Sequence, residues 1–234
     1  MSREDHLPPV SVDAFAFGRH RLLGGAPVPW PDVAELAAFH RTLSELLDGT
    51  TVTLPLGDLY AAWWDAAPAE LVGPDAIARP GGALRAMLAA PQPRAALAPV
   101  IDAVAARGPV VLELPAPGAW AAWADQRAGA PAPQDDPLAG RRAAPVVANF
   151  LRAFGDSPVT GVLIEGAGAE ELAPLAKVAD HYRWQLRTPA TLDDAFWHGD
   201  PPAGDGPWHL RIPAPAEPAS ILDRLGALRA EVVR

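Results

Sequence analysis

The stretch Gly108-Pro-Val-Val-Leu-Glu-Leu-Pro-Ala-Pro-Gly-Ala-Trp-Ala-Ala-Trp-Ala-Asp125 contains the pattern that decides the fold class. Residues 110–114 form a short, mostly apolar and β-branched run, which is typical of a strand. Pro115 and Pro117 end that run, and residues 118–127 carry aromatic and alanine side chains that indicate a helix. The stretch therefore predicts a strand, a proline turn and a helix in immediate succession.

The same plan recurs along the chain. Leu54-Pro-Leu-Gly-Asp-Leu-Tyr-Ala-Ala-Trp-Trp-Asp65 repeats the strand, the proline turn and the aromatic helix start. Further strands are predicted at residues 10–17, 50–56, 159–165, 184–187 and 208–212. Further helices are predicted at residues 31–47, 59–64, 141–154, 170–182, 219–233, near 192–197, and as two segments within 82–107 that are separated at Pro91-Gln-Pro93.

This alternation of strands and helices predicts one α/β domain over residues 1–234, with parallel strands and outer helices. Residues 129–140 are rich in proline, glycine and aspartate and indicate a loop or insertion inside that domain. The length suits a single (β/α) barrel. Because six strands are predicted where a full barrel has eight, an incomplete or degenerate barrel is the alternative to a complete one.

Residues 83–168 resemble part of the barrel superfamily of uroporphyrinogen decarboxylase and the cobalamin-independent methionine synthases. The similar features are a helix, a Gly-Pro-Val strand that ends in Leu114-Pro-Ala-Pro117, a second helical section, and Thr160-Gly-Val-Leu-Ile-Glu-Gly166. The resemblance implies the barrel fold, and it carries no catalytic residue over to this chain.

The composition excludes several classes of function. Twenty-eight acidic residues exceed 19 basic ones, and the basic residues form no cluster, which argues against nucleic acid as a partner. The absence of cysteine excludes disulfides, thiolate nucleophiles and thiolate metal ligands. No apolar run approaches the roughly 20 residues that span a bilayer, so no membrane partner and a cytoplasmic location are predicted.

The carboxyl ends of parallel strands are where ligands bind in such folds, so charged residues at those ends are the candidate site. Glu113 and Glu165 are the predicted catalytic residues, since a buried carboxylate with a raised pKa suits general acid or base chemistry. The alternative for Glu113 is a structural carboxylate paired with arginine. Arg19 and His20 are also predicted to lie at a strand end.

Arg187 and Arg211 are predicted to hold an anionic substrate, together with Asp58 and Trp120. An arginine fork binds carboxylates with two parallel hydrogen bonds, which suits a small organic acid. Eight tryptophans stand out in the composition, and several of them follow strands. Such side chains either line a ligand pocket, fill the core, or form a contact with a protein partner or a second copy of the chain.

The six histidines offer one local set with metal-ligand chemistry, His198, Asp200 and His209. These residues lack the H-x-x-x-H or H-E-x-x-H spacing that places two ligands on one helix face. The sequence therefore predicts neither a metal nor another cofactor.

Together these patterns predict a small-molecule-binding barrel protein, with lyase or transferase chemistry on a small organic acid at the carboxyl ends of the strands. The alternative is a noncatalytic accessory protein that acts through a tryptophan-bearing surface and the loop at residues 129–140.

Overall fold

The structure is a computed structural model, and it describes residues 10–68, 72–73, 76, 79–106, 108–130, 138–188, 190–192 and 208–232. The strands are β1 (Val10–Asp13), β2 (Thr51–Val52), β3 (Leu54–Pro55), β4 (Val110–Pro115), β5 (Val159–Glu165), β6 (Gln185–Arg187), β7 (Ala190–Leu192) and β8 (Trp208–Arg211). The helices are α1 (Phe15–Leu22), α2 (Val33–Leu46), α3 (Leu56–Ala66), α4 (Gly82–Ala89), α5 (Pro91–Ala105), α6 (Pro117–Arg127), α7 (Ala139–Leu151), α8 (Ala169–Tyr182) and α9 (Pro218–Val232), with a 3-10 turn at Arg152–Phe154. Within these ranges, no helix is both long enough and apolar enough to cross a membrane.

Every strand pair in the described ranges is parallel, which confirms the α/β prediction. The strands form two sheets, in the order β2-β1-β8-β7 and β3-β4-β5-β6. The two sheets meet at Thr53, which lies between β2 and β3 and whose backbone N–H donates to Val12 O at 2.9 Å. The strands are thus paired in the order β7-β8-β1-β2, and the order continues through Thr53 to β3-β4-β5-β6. In the described part of the chain, β6 and β7 are not paired with each other, so the ring of strands is not closed there.

The strands have one apolar and one largely polar face, because successive side chains point to opposite sides of a sheet. Val12, Leu112 and Leu210 belong to the main hydrophobic core, which the helices cover. The alternate positions carry polar side chains, for example Ser11 opposite His209. The helix-facing layer therefore supplies the stability, and the other face of the strands is available for a site.

The sheet curls so that distant strands face each other. Arg211 on β8 and Glu165 on β5 lie four strands apart in the pairing order, and a flat sheet would separate them by about 19 Å. Their side chains are nevertheless 3.0 Å apart, from Arg211 Nη2 to Glu165 Oε2. Strong curvature therefore brings strand ends from both sheets to one place.

The half-buried Glu171 carboxylate joins three helix starts. Glu171, in the first turn of α8, accepts hydrogen bonds from the backbone N–H groups of Gly118 at 2.9 Å and Gly168 at 3.0 Å. Gly140, near the start of α7, lies so close to the Glu171 carboxylate that a Cβ atom there would overlap it. A glycine at this position lets α7 approach α8.

Two predictions about local structure were wrong. The strand predicted at 10–17 ends at Asp13, whose carboxylate accepts the Phe15 N–H at 3.1 Å as α1 begins. Arg19 and His20 therefore lie on an exposed helix rather than at a strand end. Sequence analysis also missed β7, and residues 193–197 of the helix predicted near 192–197 lie outside the described residues.

The predicted loop at residues 129–140 lies partly outside the described residues. Residues 131–137 are not described, and Gly129 and Ala130 form a turn after α6. Helix α7 begins at Ala139, so the helical segment starts slightly earlier than residue 141, where it was predicted.

Candidate functional site

Five side chains from four strands meet at the carboxyl ends of those strands, and we refer to them as the strand-end cluster: Asp13 from β1, Glu113 from β4, Glu165 from β5, and His209 and Arg211 from β8. The Arg211 guanidinium connects the three carboxylates. Its Nε lies 3.0 Å from Asp13 Oδ2, and its Nη2 lies 3.0 Å from Glu165 Oε2 and 3.4 Å from Glu113 Oε1.

The strand-end cluster extends from the protein interior to solvent. Asp13, Glu113 and His209 are buried, Glu165 is partly exposed, and about half of the Arg211 side chain is exposed (53%). Below the charged groups, Val111 and Leu163 form a small apolar contact that is separate from the main core. A ligand arriving from solvent would therefore reach Arg211 and Glu165 before the buried groups.

His209 lies against two of the carboxylates. Its side chain is fully buried, and its Nε2 lies 3.3 Å from Glu113 Oε2 and 3.9 Å from Glu165 Oε1. The other ring nitrogen, Nδ1, is within hydrogen-bond distance of Ser11 Oγ at 3.3 Å. Nε2 has no hydrogen bond of acceptable geometry. The three atoms that face each other, one each from Glu113, Glu165 and His209, lie within 4.8 Å of one another and could hold a metal ion.

The environment of Glu113 favours its ionised form. Burial by itself raises the pKa of Glu113, but His209, the Thr53 hydroxyl and the Arg211 charge together hold it below its ordinary value. Thr53 Oγ1 donates to Glu113 Oε2 at 2.5 Å. The expectation that a buried Glu113 has a raised pKa was wrong, because these three partners outweigh the burial.

Asp13 shows the opposite behaviour. Burial and the negative charge of Glu113 raise the pKa of Asp13 to about 6, although the Phe15 N–H and Arg211 act in the other direction. Two carboxylates in one site cannot both ionise easily, so their pKa values move apart. Asp13 is therefore a carboxyl group that changes protonation close to neutral pH.

Asp58 lies beside the strand-end cluster, in the first turn of α3. Its surroundings displace water and raise its pKa, the charge of Glu113 raises it further, and Arg211 lowers it. The side chain is exposed. The charges of the strand-end cluster thus affect the pKa of Asp58, which lies at the solvent side of the cluster.

Arg187, the second predicted substrate-binding arginine, lies on the same face of the sheet. It is in register with Leu163 on β5, and its Nη2 donates to Gln185 Oε1 at 2.9 Å. Burial lowers the pKa of Arg187, which nevertheless remains charged at neutral pH. Of the predicted residues, the structure joins Glu113, Glu165 and Arg211 by direct ion pairs.

Trp120 has a different position from the one predicted for a substrate-binding residue. It is buried in the helical layer, where its ring packs edge-on against Tyr60 and Phe150, with centroids 5.7 and 6.1 Å away. This matches the packing alternative for the tryptophans. Trp63 and Trp123 are partly exposed, and Arg127 stacks over Trp123.

Sequence analysis missed Asp13 and the role of His209. Asp13 was placed in the middle of a longer strand, although the alternation Val10-Ser-Val-Asp13 already puts Ser11 and Asp13 on the face opposite the valines. His209 was grouped with His198 and Asp200, both of which lie outside the described residues. Its true neighbours come from β1, β4 and β5, and no local spacing reveals them.

No family model, curated protein or solved structure matches this chain. The function must therefore be argued from the residues of the site.

Proposed function

We propose that the strand-end cluster binds a small organic acid and acts on it by proton transfer, as a lyase or transferase would. The observation that carries the proposal is the convergence of Arg211 with Asp13, Glu113 and Glu165 at the carboxyl ends of the strands. In parallel α/β folds, this edge is where substrates are bound.

Arg211 is the group that would orient the acid. Asp13 pairs with its Nε and Glu165 pairs with its Nη2, while about half of the Arg211 side chain remains exposed (53%). A guanidinium fixed in this way binds a ligand carboxylate with little further loss of side-chain freedom. Asp58, at the solvent side, would contribute to the electrostatic environment of the bound molecule.

Asp13 is the group whose protonation would change during the reaction. Its pKa of about 6 keeps both forms accessible near neutral pH, which is the condition for efficient acid–base catalysis. The strand-end cluster has three carboxylates and one guanidinium, so a bound acid requires an additional positive charge or proton. Protonation of Asp13 supplies it, and acid binding should strengthen as the pH falls through 6.

We also propose that this chain belongs to the barrel superfamily of uroporphyrinogen decarboxylase and the cobalamin-independent methionine synthases. The pairing of β1 with both β2 and β8 supports only the barrel part of this assignment, because it is the order expected when strands follow one another around a ring.

The test is a binding screen of small mono- and dicarboxylic acids by NMR at pH 5.5 and pH 7.5, in the presence of EDTA. For any acid that binds, Arg211→Ala should weaken binding roughly 10- to 150-fold, which corresponds to 1.5 to 3 kcal/mol for hydrogen bonds to a charged group. Arg127→Ala removes an arginine of similar exposure on α6 and should leave the affinity unchanged.

Proton transfer is tested by exchange of carbon-bound hydrogen of the acid in deuterated water. Wild-type protein should catalyse this exchange, and Asp13→Asn should abolish it. If no acid binds better to the wild type than to the Arg211→Ala variant, the strand-end cluster is a structural ion-pair network. The noncatalytic alternative then takes the place of the proposal.

A further inference from the structure

We propose that His209, Glu113 and Glu165 form a binding site for one divalent transition-metal ion. Each of the three residues offers one ligand atom, and these atoms lie within 4.8 Å of one another. The carboxylate oxygens that lie against His209 Nε2 are Glu113 Oε2 at 3.3 Å and Glu165 Oε1 at 3.9 Å. The independent observation is the state of His209: its ring is fully buried, and its Nε2 is directed at the two carboxylates without a hydrogen bond. A buried polar nitrogen that makes no hydrogen bond is costly, and a metal ion would satisfy it.

The distances are close to those that a metal requires. Ligands at about 2.0 to 2.2 Å from one ion lie about 3 to 3.6 Å apart in tetrahedral or octahedral geometry. Nε2 lies 3.3 Å from Glu113 Oε2, inside that range, and 3.9 Å from Glu165 Oε1. Glu165 is at the accessible side of the strand-end cluster, and its Oε1 would have to move toward His209 Nε2 to complete the set.

The surrounding residues hold the three ligands in place. Ser11 Oγ is 3.3 Å from His209 Nδ1 and leaves Nε2 directed toward the carboxylates. Arg211 contacts the other oxygen of each carboxylate, Glu113 Oε1 and Glu165 Oε2. Outer contacts of this kind orient metal ligands and raise affinity. The guanidinium therefore pairs with oxygens other than those that lie against His209 Nε2.

Charge and donor type limit the identity of the ion. Three carboxylates of the strand-end cluster face one guanidinium, so a dication would balance the charge. One imidazole and two carboxylates suit Mn²⁺, Fe²⁺ or Zn²⁺, whereas Mg²⁺ and Ca²⁺ prefer oxygen ligands alone. Three protein ligands would leave positions for water or for the oxygen of a bound molecule.

This site differs from the one considered from sequence. There, His209 was grouped with His198 and Asp200, and the lack of a spacing motif led to the prediction of no metal. The fold instead places His209 beside Glu113 and Glu165, from strands far away in the chain. The cation site does not depend on the proposed organic acid, because an ion can bind whether or not the strand-end cluster acts on a substrate.

The experiment uses protein purified without a histidine tag, stripped with EDTA and dialysed. Titration calorimetry with MnCl₂ and ZnCl₂ should show one ion per chain for the wild type, with no comparable binding of MgCl₂. Glu165→Gln should weaken binding at least 10-fold, the lower end of the effect expected for disturbing a metal site. Glu170→Gln, the same change at an exposed position on α8, should bind as the wild type does.

A spectroscopic measurement identifies the nitrogen ligand. Electron spin echo spectra of the Mn²⁺ complex should show coupling to a directly bonded imidazole nitrogen, which an ion held by surface carboxylates alone would lack. His209→Gln should abolish the coupling. Because His209 is buried and its replacement can impair folding, Glu165→Gln provides the decisive affinity comparison. Equal binding by wild type and Glu165→Gln, or a Mn²⁺ complex without nitrogen coupling, would overturn the proposal.

Discussion

Replacement of Arg211 by methionine tests whether the strand-end cluster is held together by one guanidinium. Methionine keeps much of the apolar stem and removes the charge. In the wild type, Arg211 contacts Asp13 and Glu113, both buried, and the partly exposed Glu165. The variant leaves these carboxylates near one another without the guanidinium that balances them.

The magnitude follows from the burial of the partners. Removing one member of a fully buried ion pair costs about 3 to 5 kcal/mol, because the remaining charge is left uncompensated. The Arg211 side chain is 53% exposed, so water screens part of its charge, and a loss of about 2 kcal/mol is expected at pH 7.5. Removing Arg211 raises the pKa values of Asp13 and Glu113, so the wild type exceeds the variant in stability most at pH values where these two carboxylates are ionised. The difference in free energy of unfolding between the two proteins should shrink as the pH falls below 6, where Asp13 becomes protonated.

The assay is urea unfolding at pH 7.5, 6.0 and 4.5 in EDTA, with Arg127→Met as the matched control. Arg127 is also partly exposed, but its partner Asp65 is largely in solvent (61% exposed), so its loss should cost under about 1 kcal/mol at every pH. The reasoning is refuted if Arg211→Met is no more destabilising than Arg127→Met, or if its cost is the same at pH 4.5 as at pH 7.5.

Three further predictions concern stability. For Asp13, the folded pKa of about 6 exceeds the unfolded value of 3.8, so this group lowers wild-type stability as the pH rises from 4 to 7, by up to about 3 kcal/mol. The Asp13→Asn variant should lack this contribution, which urea unfolding of both proteins between pH 4 and 7 would measure. If the wild type and the variant showed the same pH dependence of the urea midpoint, the raised pKa of Asp13 would be contradicted. Thr53→Val should cost about 1 to 3 kcal/mol in thermal unfolding, because Glu113 loses a buried hydrogen-bond donor; a change below about 0.5 kcal/mol would argue against that bond. Gly140→Ala should cost about 1 to 3 kcal/mol in urea unfolding, since the added Cβ displaces the Glu171 carboxylate from its backbone donors, and unchanged stability would show that α7 can move aside.

The elements with strong local signals could be predicted from the sequence. Strand β5 matches its predicted bounds of 159–165, because Pro158 precedes a β-branched run and Gly166 ends it. Strand β1 was predicted too long because the apolar alternation continues to Phe17. What ends it is the side chain of Asp13, which accepts the Phe15 N–H, and that contact is not visible in the alternation.

The sequence could predict the charged residues at the strand ends, but not how they lie relative to His209. The rule that strand carboxyl ends share one edge correctly identified Glu113, Glu165 and Arg211 as candidates that the structure brings together. It could not reveal that His209 lies beside Glu113, because that proximity depends on the curvature of the sheet. It also could not give the direction of the pKa shift of Glu113, which depends on all of its partners.

The pairing of β1 with β8 also affects how the chain folds during synthesis. Ser11 and His209 are 198 residues apart, so β1 cannot gain this neighbour until nearly the whole described chain has been made. At about 5 to 20 residues per second, one edge of β1 waits roughly 10 to 40 seconds on the ribosome. An unpaired strand edge invites association with other chains. Contacts of such long range also slow folding, so the yield of this protein should respond to chaperone supply and translation speed.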